Sequence, residues 1–412
     1  MPWKERTAVD EKKSFLIAWE RQEQSFSSLC RYFGISRPTG YKWLERFEAE
    51  GERGLEEQSR APLHQPKAMA EALRSRILAL RAQHPTWGPK KLKKTLETAH
   101  PDMAWPARST IGDLLRREGV ARPRPARRRT LPHVDPLRHA EGPNDVWCAD
   151  FKGWFLCANG QRCDPLTITD AYSRYLLRCR AVPKTDGEHV QAIFQAAFRE
   201  FGLPGAIRTD NGPPFASPGL CGLSRLSVWW VRLGILPERI EPGCPEQNGR
   251  HERFHRTLKM ETATPPGASL ASQQRRFADF QREYNHVRPH EALGLRTPDS
   301  FYRRSIRTFP DRLPELVYPF SCTLRSVSAA GHISWINRQI YVSVLLENQL
   351  VALRQVEDGL FEVFFGPLLL GWMDEASATF CPVKAPPRSA RRTRNAGALP
   401  PHPRDLPLAA RV

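Results

Sequence analysis

Three stretches crowded with proline, arginine and small residues interrupt the apolar periodicity of this chain: residues 56–67, residues 121–143, and everything after residue 383. Stretches of this kind supply no apolar face, so a single core cannot run through all 412 residues. Four foldable blocks remain, at 5–55, 68–120, 144–305 and 320–376, joined by a basic linker over 121–143 and followed by a basic tail over 383–412 that is expected to be disordered. Lys and Arg number 62 against 44 Asp and Glu, a formal net charge of +18. That excess fits a polyanionic partner, with nucleic acid first, although charge alone is equally compatible with a plain basic surface. No apolar run approaches the roughly 18 residues that span a bilayer, which argues against an integral membrane protein. The opening MPWKERTAVDEKKS has no apolar secretory segment, so a cytoplasmic location is expected. Nine cysteines without a CxxC pair argue against a disulfide framework and against a structural zinc ribbon.

In the first block Phe15, Leu16 and Trp19 fall at helical spacing, and a second helix with Leu29, Cys30 and Phe33 stops at Gly34. A third restarts after Ser36 with Tyr41, Trp43, Leu44 and Phe47. The turn Gly34-Ile35-Ser36 suits a helix-turn-helix, with Ser36 as N-cap and Pro38 in the first turn. Arg37, Thr39, Lys42 and Arg46 then face outward as candidate DNA contacts; a plain three-helix bundle with a solvated basic face is the alternative. The second block repeats the theme as a second, winged-helix-like helix-turn-helix. Leu73, Ile77 and Leu80 mark one helix, Leu92 and Leu96 the next after Trp87-Gly88-Pro89, and Ile111, Leu114 and Leu115 a third capped by Ser109. Lys90, Lys91, Lys93, Lys94, Arg116 and Arg117 cluster there as candidate phosphate contacts. The linker RPRPARRR, with Arg127, Arg128 and Arg129, should stay extended and track phosphates or enter a minor groove, unless it is only a tether.

The third block changes character. Residues 146–151, 165–169 and 175–182 read as strands of an antiparallel meander, 188–201 as a helix, 206 onward as a short strand ending in Asp210-Asn211-Gly212, and 247–262 as a helix bearing Glu252. The segments VWCADFKGWF, IRTDNGPPF and PEQNGRHERFHRTLK resemble, in order and approximate spacing, the catalytic core of DDE transposases related to retroviral integrases. The flanking blocks look like those of bacterial insertion-sequence transposases. Alternating apolar positions over 323–374, as in Ile333-Ser334-Trp335, read as a small C-terminal β-barrel over 320–376, and the resemblance implies a multidomain chain that joins it to α-helical helix-turn-helix domains and an α/β ribonuclease-H-like core over 144–305. It also implies a polynucleotidyl transferase that cleaves DNA and joins a strand to a target, with Asp150, Asp210 and Glu252 as catalytic residues holding two Mg²⁺ or Mn²⁺ ions and Asp150 bridging them. Its partners would be double-stranded DNA, both element terminal repeats and target, with the chain acting as a homo-oligomer on DNA, nucleoid-associated and away from membranes.

The chemistry is consistent with that implication. Phosphodiester attack at neutral pH needs an activated water or hydroxyl and charge neutralisation on the phosphate, and hard divalent cations favour carboxylate oxygens. Asp210 before Asn-Gly is otherwise a common turn former, and Glu252 with Arg256 a common helix pair. Asp150 within an apolar strand faces a desolvation cost that a cation would offset. The third acid is open to two readings. Spacing from Asp210 selects Glu246, at thirty-five intervening residues, over Glu252, at forty-one, whereas the local pattern Asn248-Gly249-x-x-Glu252 followed by Leu258-Lys259 selects Glu252. On that helix Arg256 and Lys259 share the face of Glu252 and are candidate DNA contacts, or else a solvated basic stripe. His251 and His255 lack HExxH order, which argues against zinc. Asp170 reads as a turn organiser; for His286, Arg288 and His290 in YNHVRPHEALG, DNA contact and packing are both open. Two competing functions remain beside transposition: a catalytically inactive DNA-binding regulator, and a ribonuclease-H-type nuclease.

Overall fold

Hydroxyl and carboxylate caps set where the first helices start. In a computed structural model, which describes residues 7–57, 69–121, 140–240 and 249–383, Thr7 and Asp10 form a capping box at α1 (Ala8–Glu20). Ser25 caps α2 (Phe26–Tyr32) and Ser36 caps α3 (Arg37–Glu50), with Pro38 in the first turn of α3. Phe15, Leu16, Leu29, Cys30 and Leu55 form the core of this three-helix unit, which extends to Ala70 as one compact body. Gly40 is where the helices come closest: a Cβ there would stand 2.8 Å from Phe26 Cζ and 2.9 Å from Cys30 Sγ. Gly40→Ala is therefore expected to destabilise this unit by about 1–3 kcal/mol through overpacking, read as an earlier thermal transition for residues 1–70 with the remaining transition unmoved.

The second compact unit begins at Glu71. Its first helices are α4 (Glu71–Gln83), α5 (Pro89–Ala99) and α6 (Arg108–Arg117), packed through Ile77, Leu92, Leu96, Ile111, Leu114 and Leu115. Gly88 and Pro89 open α5 as read from the sequence. The cap of α6 is Ala107, and Ser109 lies exposed within the helix, because the helix starts immediately after the extended Pro106-Ala107 step. Among the described residues of this block there is no strand, hence no wing.

The third block is built on a mixed sheet. Strand β1 (Val146–Phe151) pairs antiparallel with β3 (Arg162–Asp170), and β3 pairs antiparallel with β4 (Leu176–Val182); the two-residue β2 (Phe155–Leu156) continues the β1 side of β3. On its other edge β1 pairs parallel with β5 (Ala206–Thr209), which pairs parallel with β6 (Leu236–Arg239). Helices α7 (Gly187–Phe201) and α8 (Arg225–Arg232) cover one face, where Trp147, Ala149, Leu166, Ile168 and Ile207 meet Phe194, Phe198 and Trp230. Helices α9 (Gly249–Thr262) and α10 (Leu270–Arg282) cover the other, where Cys163, Leu176 and Cys179 meet Phe254, Leu258, Phe277 and Phe280. This is the ribonuclease-H-like arrangement: three antiparallel strands extended by two parallel ones, with helices on both faces.

The C-terminal block departs from expectation. Strands β7 (Thr323–Ser326), β10 (Leu350–Glu357), β11 (Leu360–Phe365), β12 (Leu368–Asp374) and β13 (Thr379–Pro382) form an open antiparallel sheet in the order β13–β12–β11–β10–β7. The hairpin of β8 (His332–Trp335) and β9 (Arg338–Tyr341) pairs only with itself, so no closed barrel forms among the described residues. Burial is achieved by face packing instead: Ile333, Trp335 and Ile340 of the hairpin share one core with Val351, Leu353, Val363 and Phe365 of the sheet and Val228 and Val231 of α8.

Candidate active site

The side-chain alternation of β1 determines what can reach the site. Trp147 and Ala149 point into the α7–α8 face, which sends Asp150 to the α9 face. Asp150 stands opposite Thr167 on β3 and is 9% exposed. On the other side, the parallel register Cys148↔Arg208 carries on to bring Asp150 level with Asp210, which follows the last residue of β5. Asp150 and Asp210 thus each follow by two residues the last pair of the β1–β5 ladder, at the same end of the two strands. Asp210 is half-buried, and burial raises its carboxyl above the usual carboxylate range against the opposing Gly212 N–H, 3.2 Å from Oδ1.

Helix α9 supplies the third side. Phe254 and Leu258 anchor it to the sheet, which leaves Glu252 in the first turn, Arg256 and Lys259 on the exposed face. His255 points inward: its Nε2 is 2.8 Å from Thr167 Oγ1, and its Nδ1 is 3.9 Å from Asp150 Oδ2. Thr167 donates to the Asp150 carbonyl at 3.1 Å, so it accepts from His255, and the network places the imidazole proton on Nε2. Burial, then the charges of His251 and Lys152, pull the His255 pKa down to about 2, so this ring is neutral beside Asp150. His251 is likewise pulled down to about 4 by burial. Thr167 was not anticipated from the sequence; its signal is its place opposite Asp150 in the β1–β3 register.

The donor set of Asp150, Asp210 and Glu252 is all carboxylate oxygen, which suits a hard divalent cation. Glu252 is solvent-exposed less than one turn before His255. Among the described residues no three His, Cys, Asp or Glu side chains close together as a metal cage. The residues leading into α9, Glu246 among them, lie outside the described residues, as do Arg127, Arg128 and Arg129.

Comparison with known proteins gives two matches to an integrase core domain, over residues 140–245 and 233–298. A helix-turn-helix domain matches residues 11–62 and a homeodomain-like domain residues 39–115. An uncharacterised protein of insertion element IS476 from Xanthomonas euvesicatoria is 29% identical, over 59% of this chain and 68% of that protein. An uncharacterised protein of insertion element IS407 from Burkholderia multivorans is 29% identical, over 63% of this chain and 92% of that protein. The putative transposase InsD of insertion element IS2E from Escherichia coli is 30% identical over 39% of this chain and 74% of its own length. The chain belongs to the insertion-element transposases.

In this transposase the turn role read for Asp170 is borne out, and other polar residues flagged from sequence make contacts within the fold. Asp170 is fully buried and organises the β3–β4 turn, accepting from Ser173 N at 2.7 Å, Ser173 Oγ at 2.6 Å and Asn144 N at 2.8 Å. Thr39 is half-buried with its hydroxyl 2.8 Å from that of Ser36, and Arg46 is half-buried beside the Trp43 ring; Arg37 and Lys42 are exposed. In the YNHVRPHEALG segment, Arg288, 5% exposed, grips both oxygens of Glu261 at 2.8 Å, and His290 is half-buried against Tyr284, whereas His286 is exposed with Nδ1 3.4 Å from Asp299. This segment also receives the second helical block: Thr86 bonds Glu261, His84 Nδ1 lies 3.1 Å from Glu283, and Lys90 Nζ lies 2.9 Å from Glu291. Lys91 is largely buried in the same seam, and desolvation, with Arg288 adding to it, lowers its pKa to about 8 despite three nearby glutamates. Lys90 and Lys91 thus serve the seam between helices and core, where the sequence suggested phosphate contact.

Proposed function

We propose that this transposase binds the ends of its element through its helical blocks, cleaves a strand to expose a 3′-hydroxyl and joins that hydroxyl to target DNA. The observation that supports the reading is the parallel pairing of β1 with β5 through Cys148↔Arg208, two residues before Asp150 and Asp210 respectively. Asp150, Asp210 and Glu252 would hold two Mg²⁺ or Mn²⁺ ions, with Asp150 shared between them. Such ions, when bound, neutralise charge on the phosphate and activate the attacking water or hydroxyl. The protein's own part is to hold Asp150 on a rigid strand braced by Thr167 and His255, to present Glu252 from the first turn of α9, and to offer Arg256 and Lys259 to the DNA backbone beside it. Both reactions are in-line displacements at phosphorus, so one carboxylate set serves both. Arg37 and Lys42 are exposed on α3 to contact a duplex. Two element ends call for at least two copies of the chain. No helix among the described residues is long and apolar enough to cross a membrane, and the site of action is the DNA of the nucleoid.

Labelled element ends, Mg²⁺ and a target plasmid provide the test. Joined product is expected; binding without product would favour the inactive regulator, and degradation without joining the nuclease. In the same assay Glu252→Gln is expected to lose joining by at least about 10²-fold while Glu246→Gln retains it. Full activity of Glu252→Gln would transfer the third ligand position to Glu246.

A further inference from the structure

The first helical unit carries an acid where contact with phosphate alone would call for a cation. Gly40 is the buried residue of α3, and Trp43, Leu44 and Phe47 of the same helix pack into the core of the unit. The opposite side of α3 is therefore the free one, and Pro38, Tyr41, Lys42 and Glu45 are all exposed along it. Their spacing is i, i+3, i+4 and i+7, the spacing at which a helix lying in the major groove brings side chains to base edges. The four differ in what they offer a base. Pro38 has no polar side-chain atom, and the Tyr41 ring is stacked on Phe26 with centroids 4.2 Å apart. Lys42 only donates, from an Nζ 5.3 Å from the Trp43 ring centroid. Glu45 only accepts, and its carboxylate makes no hydrogen bond or ion pair among the described residues.

We propose that Glu45 is a specificity-determining residue that accepts a hydrogen bond from the N4 amine of one cytosine in the duplex this unit grips. In the major groove a carboxylate is repelled by the phosphates on both sides, and the base groups that attract it are the amines of cytosine and adenine. Cytosine shows its amine with no acceptor of its own beside it, whereas adenine sets the N7 acceptor next to N6, where a second carboxylate oxygen would be repelled. Guanine and thymine present acceptors, so Glu45 discriminates by refusal as well as by attraction. Its cost in general affinity for phosphate is the reason that a plain basic face would not carry it. The inference rests on the reading that the helical blocks bind the element ends, and it adds one base that the first unit demands there. An amide at position 45 supplies the donor that adenine N7 needs, so exchange of one atom is expected to change the base that is read.

The full chain is incubated with duplexes carrying a randomised central segment, and the bound duplexes are sequenced. Wild type is expected to enrich a motif with one cytosine that Glu45→Gln turns to adenine and Glu45→Ala leaves without preference, every other base of the motif unchanged. On a single duplex of that motif, replacing the cytosine should cost wild type about tenfold in affinity and cost Glu45→Ala nothing further. Glu48→Gln, beyond the i+7 position on the same helix, should keep the wild-type motif. A motif in which no cytosine depends on Glu45 overturns the proposal. So does an affinity that falls alike for every duplex in the Glu45 variants, since the carboxylate would then serve the fold. Either result, with a wild-type motif that recurs in the DNA flanking the gene, sinks this inference alone. A wild type that enriches no motif, or one missing from that flanking DNA, sinks the end-binding reading and this inference with it.

Discussion

Asp150→Asn and Asp210→Asn are each expected to lower strand transfer by at least about 10³-fold, while binding of element ends in a gel-shift assay should change little. Each substitution keeps the shape of the side chain and removes the charge that a divalent cation needs. The His255 ring, 3.9 Å from Asp150 Oδ2, is neutral and does not replace the lost carboxylate charge. Stability separates this role from a structural one. Burial raises the Asp210 carboxyl in the folded chain, so the fold favours its protonated form, and ionisation costs stability once pH rises above the ordinary carboxylate value. At pH 7 without metal, Asp210→Asn should therefore melt slightly above wild type, and at pH 3, where both carry a neutral group, the difference should vanish. Mg²⁺ should raise the wild-type melting temperature and leave that of the variant where it was. A variant that melts lower at pH 7 would reassign Asp210 to its turn, where Gly212 already holds it.

Arg288→Ala has the largest expected effect on stability, about 3–5 kcal/mol by chemical denaturation. The guanidinium and the Glu261 carboxylate are 6% and 15% exposed, and removing one leaves the other charge in a site closed by Trp87 and Thr86. Glu261→Ala should cost nearly as much, and the double variant less than the two added, because the penalty belongs to the abandoned charge. The same variants should free the 71–121 helices for proteolysis ahead of the sheet. A cost under about 1 kcal/mol would mean that water reaches the pair freely.

The sheet and the caps were legible because they follow local rules. The apolar run at Val146–Phe151 marked β1 to the residue, and Ser36 with Pro38 marked the start of α3. Ser109 misled because the backbone, extended through Ala107, begins the helix before it. Strand alternation in residues 323–374 marked strands without marking closure, since whether edges bond or faces pack is decided between segments. The candidate acids were legible as a pattern, and the register of β1 with β5 is what brings two of them level. Lys90, Lys91 and Arg288 were not legible, because a basic residue facing a glutamate on a distant segment reads the same as one facing phosphate. Their partners lie about two hundred residues away for Lys90 and twenty-seven for Arg288, and neither spacing carries a periodic signal.

The seam through Glu261, Glu283 and Glu291 has a metric consequence. Helices fastened to the core through Thr86, His84 and Lys90 behave as the fixed jaw of a caliper. On the proposed function, a duplex gripped by α4–α6 would be presented to Asp150 at one distance and one rotational phase, so the count of base pairs between the gripped sequence and the cut would be set by the protein. Inserting one pair would turn the scissile phosphate away by about a tenth of a helical turn, and five would put it on the far side of the duplex.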